Sequence, residues 1–285
     1  MVSQQVILKN SLSAEQATKL MIEKAKLAVI KLIEKRGHAE PPFMSEEYMD
    51  LFGIKSIVKA DLGSTSGLLL RFQDGYVIKV NQKHSLTRQN FSCAHEIGHI
   101  LFSGLQLERY VQTIEYRTFN PEREDELRYK TTEHLCDMAA SQLLMPESIF
   151  DEYLKKYGLS VDTVEKMARL FKVSFTAAAI RIAEVSQQPC IAVLWKSGLN
   201  KKPSTLSVNW SIGPRKTTVR AIRYMPMKKQ VDQTSSQHKA FMSDDIITSY
   251  QSFKSGNTIT NCRVESKKFG YGENKYVISL AFPVT

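Results

Sequence analysis

The sequence predicts an α+β protein built in several parts, and three observations carry that expectation. Apolar residues recur at helical spacing over residues 13–36, 91–101 and 131–145, and again from 147 to 185. Between these stretches, residues 57–81 alternate and run apolar with Gly63, Gly67 and Asp74-Gly75 as turns, the pattern of a small sheet with a hairpin. From Ser186 the composition changes. Residues 186–285 hold 15 of the 39 Lys and Arg but 5 of the 29 Asp and Glu, so the entire net charge of +10 falls there, and residues 1–185 carry 24 of each sign. With 285 residues and 42% hydrophobic content, the chain can bury more than one core.

Taken in order, the first element runs from Ser13 to Arg36. Ser13-x-x-Gln16 is a capping box, Gly37 ends the helix, and Leu20, Met21, Leu27, Ile30 and Ile33 supply an apolar stripe for docking. This helix, in residues 1–39, is expected to pack on the next part, residues 40–158. There Pro41-Pro42 precedes a short helical stretch near Glu46 to Phe52, and the small sheet of residues 57–81 follows. A helix around residues 91–101 comes next. The acidic group Glu122, Glu124, Asp125 and Glu126 reads as a solvated loop opened by Asn120-Pro121. Thr131 to Met145 is a further helix that Pro146 stops, and residues 147–157 form another. Residues 159–185 read as a helical pair, Val161–Phe171 and Ser174–Val185, joined at Lys172-Val173 with the cadence of a helix-turn-helix. The second helix starts Phe175-Thr176-Ala177-Ala178-Ala179, a poor surface for reading base edges, so packing onto the preceding core is the plainer role.

The helix at 91–101 carries the chemistry. Phe91-Ser92-Cys93-Ala94-His95-Glu96-Ile97-Gly98-His99-Ile100-Leu101 is an H-E-x-x-H inside an apolar run. Residues four apart share a helix face, so His95 and His99 can bind one Zn²⁺ while Glu96 reaches the water that such a metal activates. That is the geometry of a zincin-like hydrolase. A third protein ligand must come from elsewhere. Glu133, Cys136, Asp137, Ala140 and Leu144 form one face of the next helix, which makes Glu133 the expected third ligand. Asp137, one turn on, is placed to accept the free N–H of a ligating imidazole. His134 and the acidic group at 122–126 are the competing sources. Cys93 and Cys136 also fall near this site, as thiol ligands, a redox switch or, more commonly, small buried side chains. Tyr110 and Tyr116 are candidates for steadying charge on a substrate, with nothing in their spacing to select either.

Ser66-Gly67-Leu68-Leu69-Leu70, Val77-Ile78-Lys79-Val80-Asn81, Arg88-Gln89-Asn90-Phe91 leading into the H-E-x-x-H, and Glu133-x-x-Cys136-Asp137-x-x-Ala140 closing on Leu143-Leu144-Met145-Pro146 resemble the ImmA/IrrE family of metallopeptidases over roughly residues 40 to 150. The resemblance implies zinc on His95, His99 and Glu133 with Glu96 as catalytic base. It also implies helix-turn-helix repressors as substrates, cleaved in stress responses or mobile-element control. Ala139 departs from the Phe usual in the family. Some members carry a GAF-like sensor domain after the peptidase.

Residues 186–285 read as a basic α+β regulatory or sensor domain. Its strand-like runs are 190–196, 205–210, 217–224, 261–267 and 276–282, with a helix near Ser243 to Phe253. Arg215, Lys216, Arg220, Arg223, Lys228 and Lys229 offer a surface for nucleic acid or an acidic partner. The N-terminus lacks an apolar signal core, Leu27 to Ile30 is bracketed by Lys26 and Lys31, and the four cysteines have no paired spacing. The expected setting is therefore the cytoplasm, with no membrane span. A zinc endopeptidase acting on a regulatory protein is the expected function. The competing one is a DNA-binding or sensor regulator with an inert zincin-like fold.

Overall fold

The computed structural model describes residues 14–105, 121–197, 205–213, 230–231, 233–255 and 258–284. They form a mixed α and β chain with seven helices and two sheets among the described residues. The chain divides into two compact units, Met1–Pro146 and Glu147–Thr285. This boundary differs from the compositional break at Ser186, because the helices of residues 147–185 pack on the C-terminal strands. No described helix is long and apolar enough to cross a membrane.

In the first unit, helix α1 (Ala14–Arg36) leads through two 3-10 turns (Ser45–Tyr48, Asp50–Phe52) to strands β1 (Ile54–Ala60), β2 (Gly67–Phe72) and β3 (Gly75–Asn81). Helices α2 (Leu86–Gly104) and α3 (Pro121–Leu144) complete it. The sheet order is β1-β3-β2, with β1 parallel and β2 antiparallel to β3, so β2 is an edge strand among the described residues. Ile78 and Val80 of β3 are buried, and β2 and β3 both pack against α2. Helix α2 is capped by Ser85, whose side chain accepts from the Arg88 N–H, and it is the central element of this unit, packing on α3, α1 and the sheet. The Asn90 carboxamide accepts from both the N–H and the hydroxyl of Ser45, at 2.9 and 2.7 Å, tying the first 3-10 turn to α2. The Asn81 side chain donates to the carbonyls of Gly63 and Thr65, at 3.0 and 2.8 Å. It thereby fixes the turn that delivers Ser66 and Gly67 to the edge strand.

Two expectations change here. The buried face of α1 is Ala17, Met21, Ala25, Val29 and Leu32, with Leu20, Leu27 and Ile30 exposed. Small residues let α1 approach α3 closely, so of the stripe chosen by side-chain size Met21 lies on the buried face and Ile33 is partly buried, while the other three lie off it. The segment around Glu122 to Glu126 is helix, the start of α3, and not a loop. Proline is compatible with the first helical position, and acidic residues in the first turn complement the helix dipole.

The second unit contains α4 (Glu147–Tyr157), α5 (Val161–Phe171), α6 (Phe175–Val185), β4 (Ile191–Ser197), β5 (Leu206–Ile212), β6 (Gln230–Val231), α7 (Ser236–Met242), β7 (Ile247–Ser255), β8 (Thr258–Phe269) and β9 (Tyr276–Pro283). Its sheet has six antiparallel strands in the order β6-β5-β4-β9-β8-β7. Ile191, Val193 and Trp195 of β4 join Val264, Val277 and Ala240 of α7 in one core layer. The alternate β8 residues meet α5 and α6: Phe269 stacks near Phe175 at 4.9 Å, and Glu265 accepts the Val161 N–H at 2.9 Å. Both faces of β4 are thus covered, which is why it reads as an unbroken apolar run. The expected helix near Ser243 to Phe253 is instead β7, and the helix lies earlier, capped by Ser235. Ile247, Thr248, Tyr250 and Phe253 have the β-branched and aromatic character of a strand, and β7 pairs with β8 along its length. The expected strand at 217–224 lies outside the described residues, as do Arg215, Lys216, Arg220, Arg223, Lys228 and Lys229. In helix α6, Ala178, Ala179, Arg181, Ile182 and Ala183 are buried.

A buried-edge ion cluster ties α5 to the sheet. Lys267 Nζ lies 2.9 Å from both Asp162 and Glu165. Hydrogen bonds from Lys267 hold both carboxyls below the usual carboxylate range; burial opposes the Lys267 charge, but its two partners keep it above the ordinary lysine value. Depressed carboxyls contribute stability that is present above their unfolded values and is lost as pH falls through the folded ones. The raised lysine contributes below its unfolded value and is lost as pH rises through its folded one. Replacing Lys267 by Met should therefore cost the second unit about 1–2 kcal/mol at neutral pH and flatten the fall of its stability below about pH 4. Trp195 and Trp210, the only tryptophans in the chain, both lie in this unit, so their fluorescence during thermal melts across pH reads the effect directly.

Candidate metal centre

Helix α2 presents His95 and His99 one turn apart, with ring centroids 4.9 Å from each other. Helix α3 crosses it and brings Glu133 to the same point. Glu133 Oε2 lies 3.1 Å from His95 Nε2 and Oε1 lies 3.4 Å from His99 Nε2. The three donor atoms are all within 4.8 Å of one another, the one such His, Cys, Asp and Glu group among the described residues. Two imidazole nitrogens and a carboxylate oxygen are the donor set of a three-ligand zinc site, so the residues present fit that ion.

The crossing depends on Gly98. A Cβ there would sit 2.9 Å from both the Cα and the carbonyl oxygen of Cys136, so the backbones of α2 and α3 approach as closely as they do only because the side chain is absent. One turn beyond Glu133, Asp137 Oδ1 lies 2.8 Å from His95 Nδ1. With the proton on Nδ1 donated to Asp137, the lone pair of Nε2 faces the donor group. Burial opposes protonation of His95, but the hydrogen bond and charge of Asp137, together with Glu133, raise its pKa; burial and the neighbouring His95 lower that of His99.

Glu96 points from α2 toward the edge strand and is 8% exposed. Burial raises its carboxyl above the usual carboxylate range, His95 opposes this, Glu133 adds to it, and the Leu69 N–H donates to the carboxylate and opposes it again. A Cβ at Gly67 would lie 2.7 Å from Glu96 Oε1, so the first residue of β2 is a glycine that makes room for this carboxylate. The sequence pattern places Gly67 in a turn; the close approach has no signature in a single chain. Gly67, Leu68 and Leu69 share with His95, Glu96, His99, Glu133 and Asp137 a cleft of about 830 Å³.

The structure brings together His95, Glu96, His99, Glu133 and Asp137. His134 is exposed on another face of α3. Cys93 and Cys136 are buried, and burial pushes the Cys93 thiol up to about 12 and the Cys136 thiol well above its ordinary value, so both stay neutral and outside the donor group. Tyr110 and Tyr116 lie outside the described residues.

Residues 50–183 match the IrrE N-terminal-like domain. Two curated relatives are both described as radiation response metalloprotease IrrE. The one from Deinococcus deserti is 31% identical over 116 residues, 41% of this chain and 39% of the relative. The one from Deinococcus radiodurans is 27% identical over 147 residues, 52% of this chain and 42% of the relative. The chain thus spans about two fifths of the length of these relatives. A solved Mycobacterium tuberculosis transcriptional regulator superposes with a TM-score of 0.61 at 17% identity, covering 95% of this chain and 94% of that one, a likeness of fold alone.

Proposed function

The chain belongs to the ImmA/IrrE family through residues 50–183, and from that premise we propose that it is a cytoplasmic zinc endopeptidase that cleaves a regulatory protein, a helix-turn-helix repressor by family analogy, in stress response or mobile-element control. The observation that carries this reading is the convergence of His95, His99 and Glu133 beside a buried Glu96, in an open cleft on an edge strand. His95, His99 and Glu133 would hold the ion, which when bound supplies a Lewis acid that polarises a carbonyl and acidifies water. Glu96 takes the proton of the attacking water and returns it to the leaving amine, and its raised pKa brings it closer to the working pH of such a shuttle. Asp137 keeps His95 in the tautomer that turns Nε2 inward. Among the described residues no strand pairs with the second side of β2, so its backbone groups there, apart from the Leu69 N–H held by Glu96, give an extended substrate a place to pair next to these groups.

Residues 186–285 act on this reading as a regulatory or sensor domain, GAF-like by family analogy; they supply the strands of the six-stranded antiparallel sheet and, among the described residues, no part of the donor set. The competing reading, a DNA-binding or sensor regulator with an inert zinc fold, draws on the surplus positive charge after residue 186 and on the transcriptional-regulator neighbour. Incubating the zinc-loaded protein with the repressor encoded beside it separates the two. Cleavage into two fragments that Glu96→Gln abolishes supports the peptidase, and an intact repressor under those conditions supports the regulator.

A further inference from the structure

The cleft continues past the donor group toward the start of α2, where it ends on a cation. Arg88 lies seven residues before His95, two helical turns, and so faces the same way within about 20° and stands roughly 10 Å away along the helix axis. Its side chain is exposed and lines the cleft, and its Nη2 donates to Ser66 Oγ, at 2.9 Å. Around it the lining is uncharged: Thr65, Ser66, Phe91 and Ser92. The acids of the cleft, Glu96, Glu133 and Asp137, are grouped with the two histidines. Among the described residues no carboxylate pairs with Arg88, whereas Lys55 and Lys83 of the same unit are paired with Asp74 and Asp61. A guanidinium held by one hydroxyl keeps most of its donor fork for an incoming carboxylate.

The direction of the edge strand says which part of a substrate meets it. Ser66, just before β2, touches Arg88, while Gly67 and Leu69 sit against Glu96. Strand β2 and helix α2 therefore run past the cleft in the same sense. A chain added antiparallel to β2, the slightly more stable pairing, runs the other way and puts its C-terminal side at Arg88. An extended residue advances about 3.3 Å, so the roughly 10 Å between the two helix positions sets an upper bound of three residues, and the contact of Arg88 with Ser66, the neighbour of Gly67, brings its charge as near as one. We propose that Arg88 selects substrates carrying Asp or Glu one to three residues to the C-terminal side of the scissile bond. This inference rests on the peptidase reading given above.

The test is cleavage of a mixture of synthetic peptides varied in charge at every position, by zinc-loaded protein, with the new termini read by mass spectrometry and Glu96→Gln as the blank. The wild type is expected to favour Asp or Glu one to three residues C-terminal to the cut by roughly 3- to 10-fold. Arg88→Ala should remove the preference and Arg88→Glu invert it toward Lys and Arg, with zinc content unchanged in both. Cleavage with no acidic preference, a preference on the N-terminal side, or one that survives Arg88→Ala overturns the assignment of Arg88 alone. No cleavage above the blank overturns the peptidase reading, and this inference with it.

Discussion

Glu96→Gln is expected to keep one equivalent of zinc and to lose proteolysis by a factor of about 10² to 10⁴, the range for removing a positioned general base. The amide matches the carboxylate in size and leaves His95, His99 and Glu133 untouched, but it cannot accept a proton from water. The ligand variants should behave in the opposite order. His95→Ala and His99→Ala should lose the metal first and activity as a consequence, and Glu133→Gln should weaken binding strongly. Asp137→Asn should weaken it by about 10- to 100-fold, because it acts through the tautomer of His95. Elemental analysis after dialysis, read beside fragment yield, separates the classes. Stoichiometric zinc in the double histidine variant would remove the site. Full biological function in Glu96→Gln would leave the inert-fold regulator as the better account.

The parts of this site that were legible in the sequence are those set by helical spacing alone. H-E-x-x-H places His95, Glu96 and His99 on α2 without reference to the rest of the chain, and the interval between Glu133 and Asp137 puts both on one face of α3. What was illegible depends on contacts between elements. The small-residue face of α1 is selected by how closely α3 approaches, which the sizes of Leu20, Leu27 and Ile30 do not reveal. Strand β7 is not legible in the sequence because Ile247 to Phe253 suits either state until its pairing with β8 is known. The helices of residues 147–185 balance in charge like the first unit, yet they fold with the basic strands, because the apolar face of α6 and the inner face of β4 need each other. Gly67 and Arg88 were visible as residues but not as parts of a cleft, since only the turn fixed by Asn81 brings them beside Glu96 and Ser66.

Gly98→Ala is the change in which propensity and packing disagree most sharply. Alanine in a helix interior is favoured over glycine by about 1 kcal/mol, and on that ground α2 should become more stable. Against it, the new Cβ would lie 2.9 Å from the Cα and the carbonyl oxygen of Cys136, backbone atoms that cannot rotate away. The helices must separate, and overpacking of this kind costs about 1–3 kcal/mol. The separation also acts on the donor group, because His95 and His99 are carried by one helix and Glu133, three residues before Cys136, by the other. Metal ligands tolerate displacements of about 0.2 Å, so a shift of a few tenths of an ångström at the crossing should lower zinc affinity by about tenfold or more. The expected result is a protein less stable without metal and disproportionately poorer at binding it, measured by thermal melts of the zinc-free protein and by zinc titration. Gly104→Ala is the control: it lies at the end of the same helix with nothing within 4 Å of a Cβ, and should be neutral or stabilising. If Gly98→Ala behaved like Gly104→Ala in both measurements, the close crossing of α2 and α3 would not be what holds Glu133 against the two histidines.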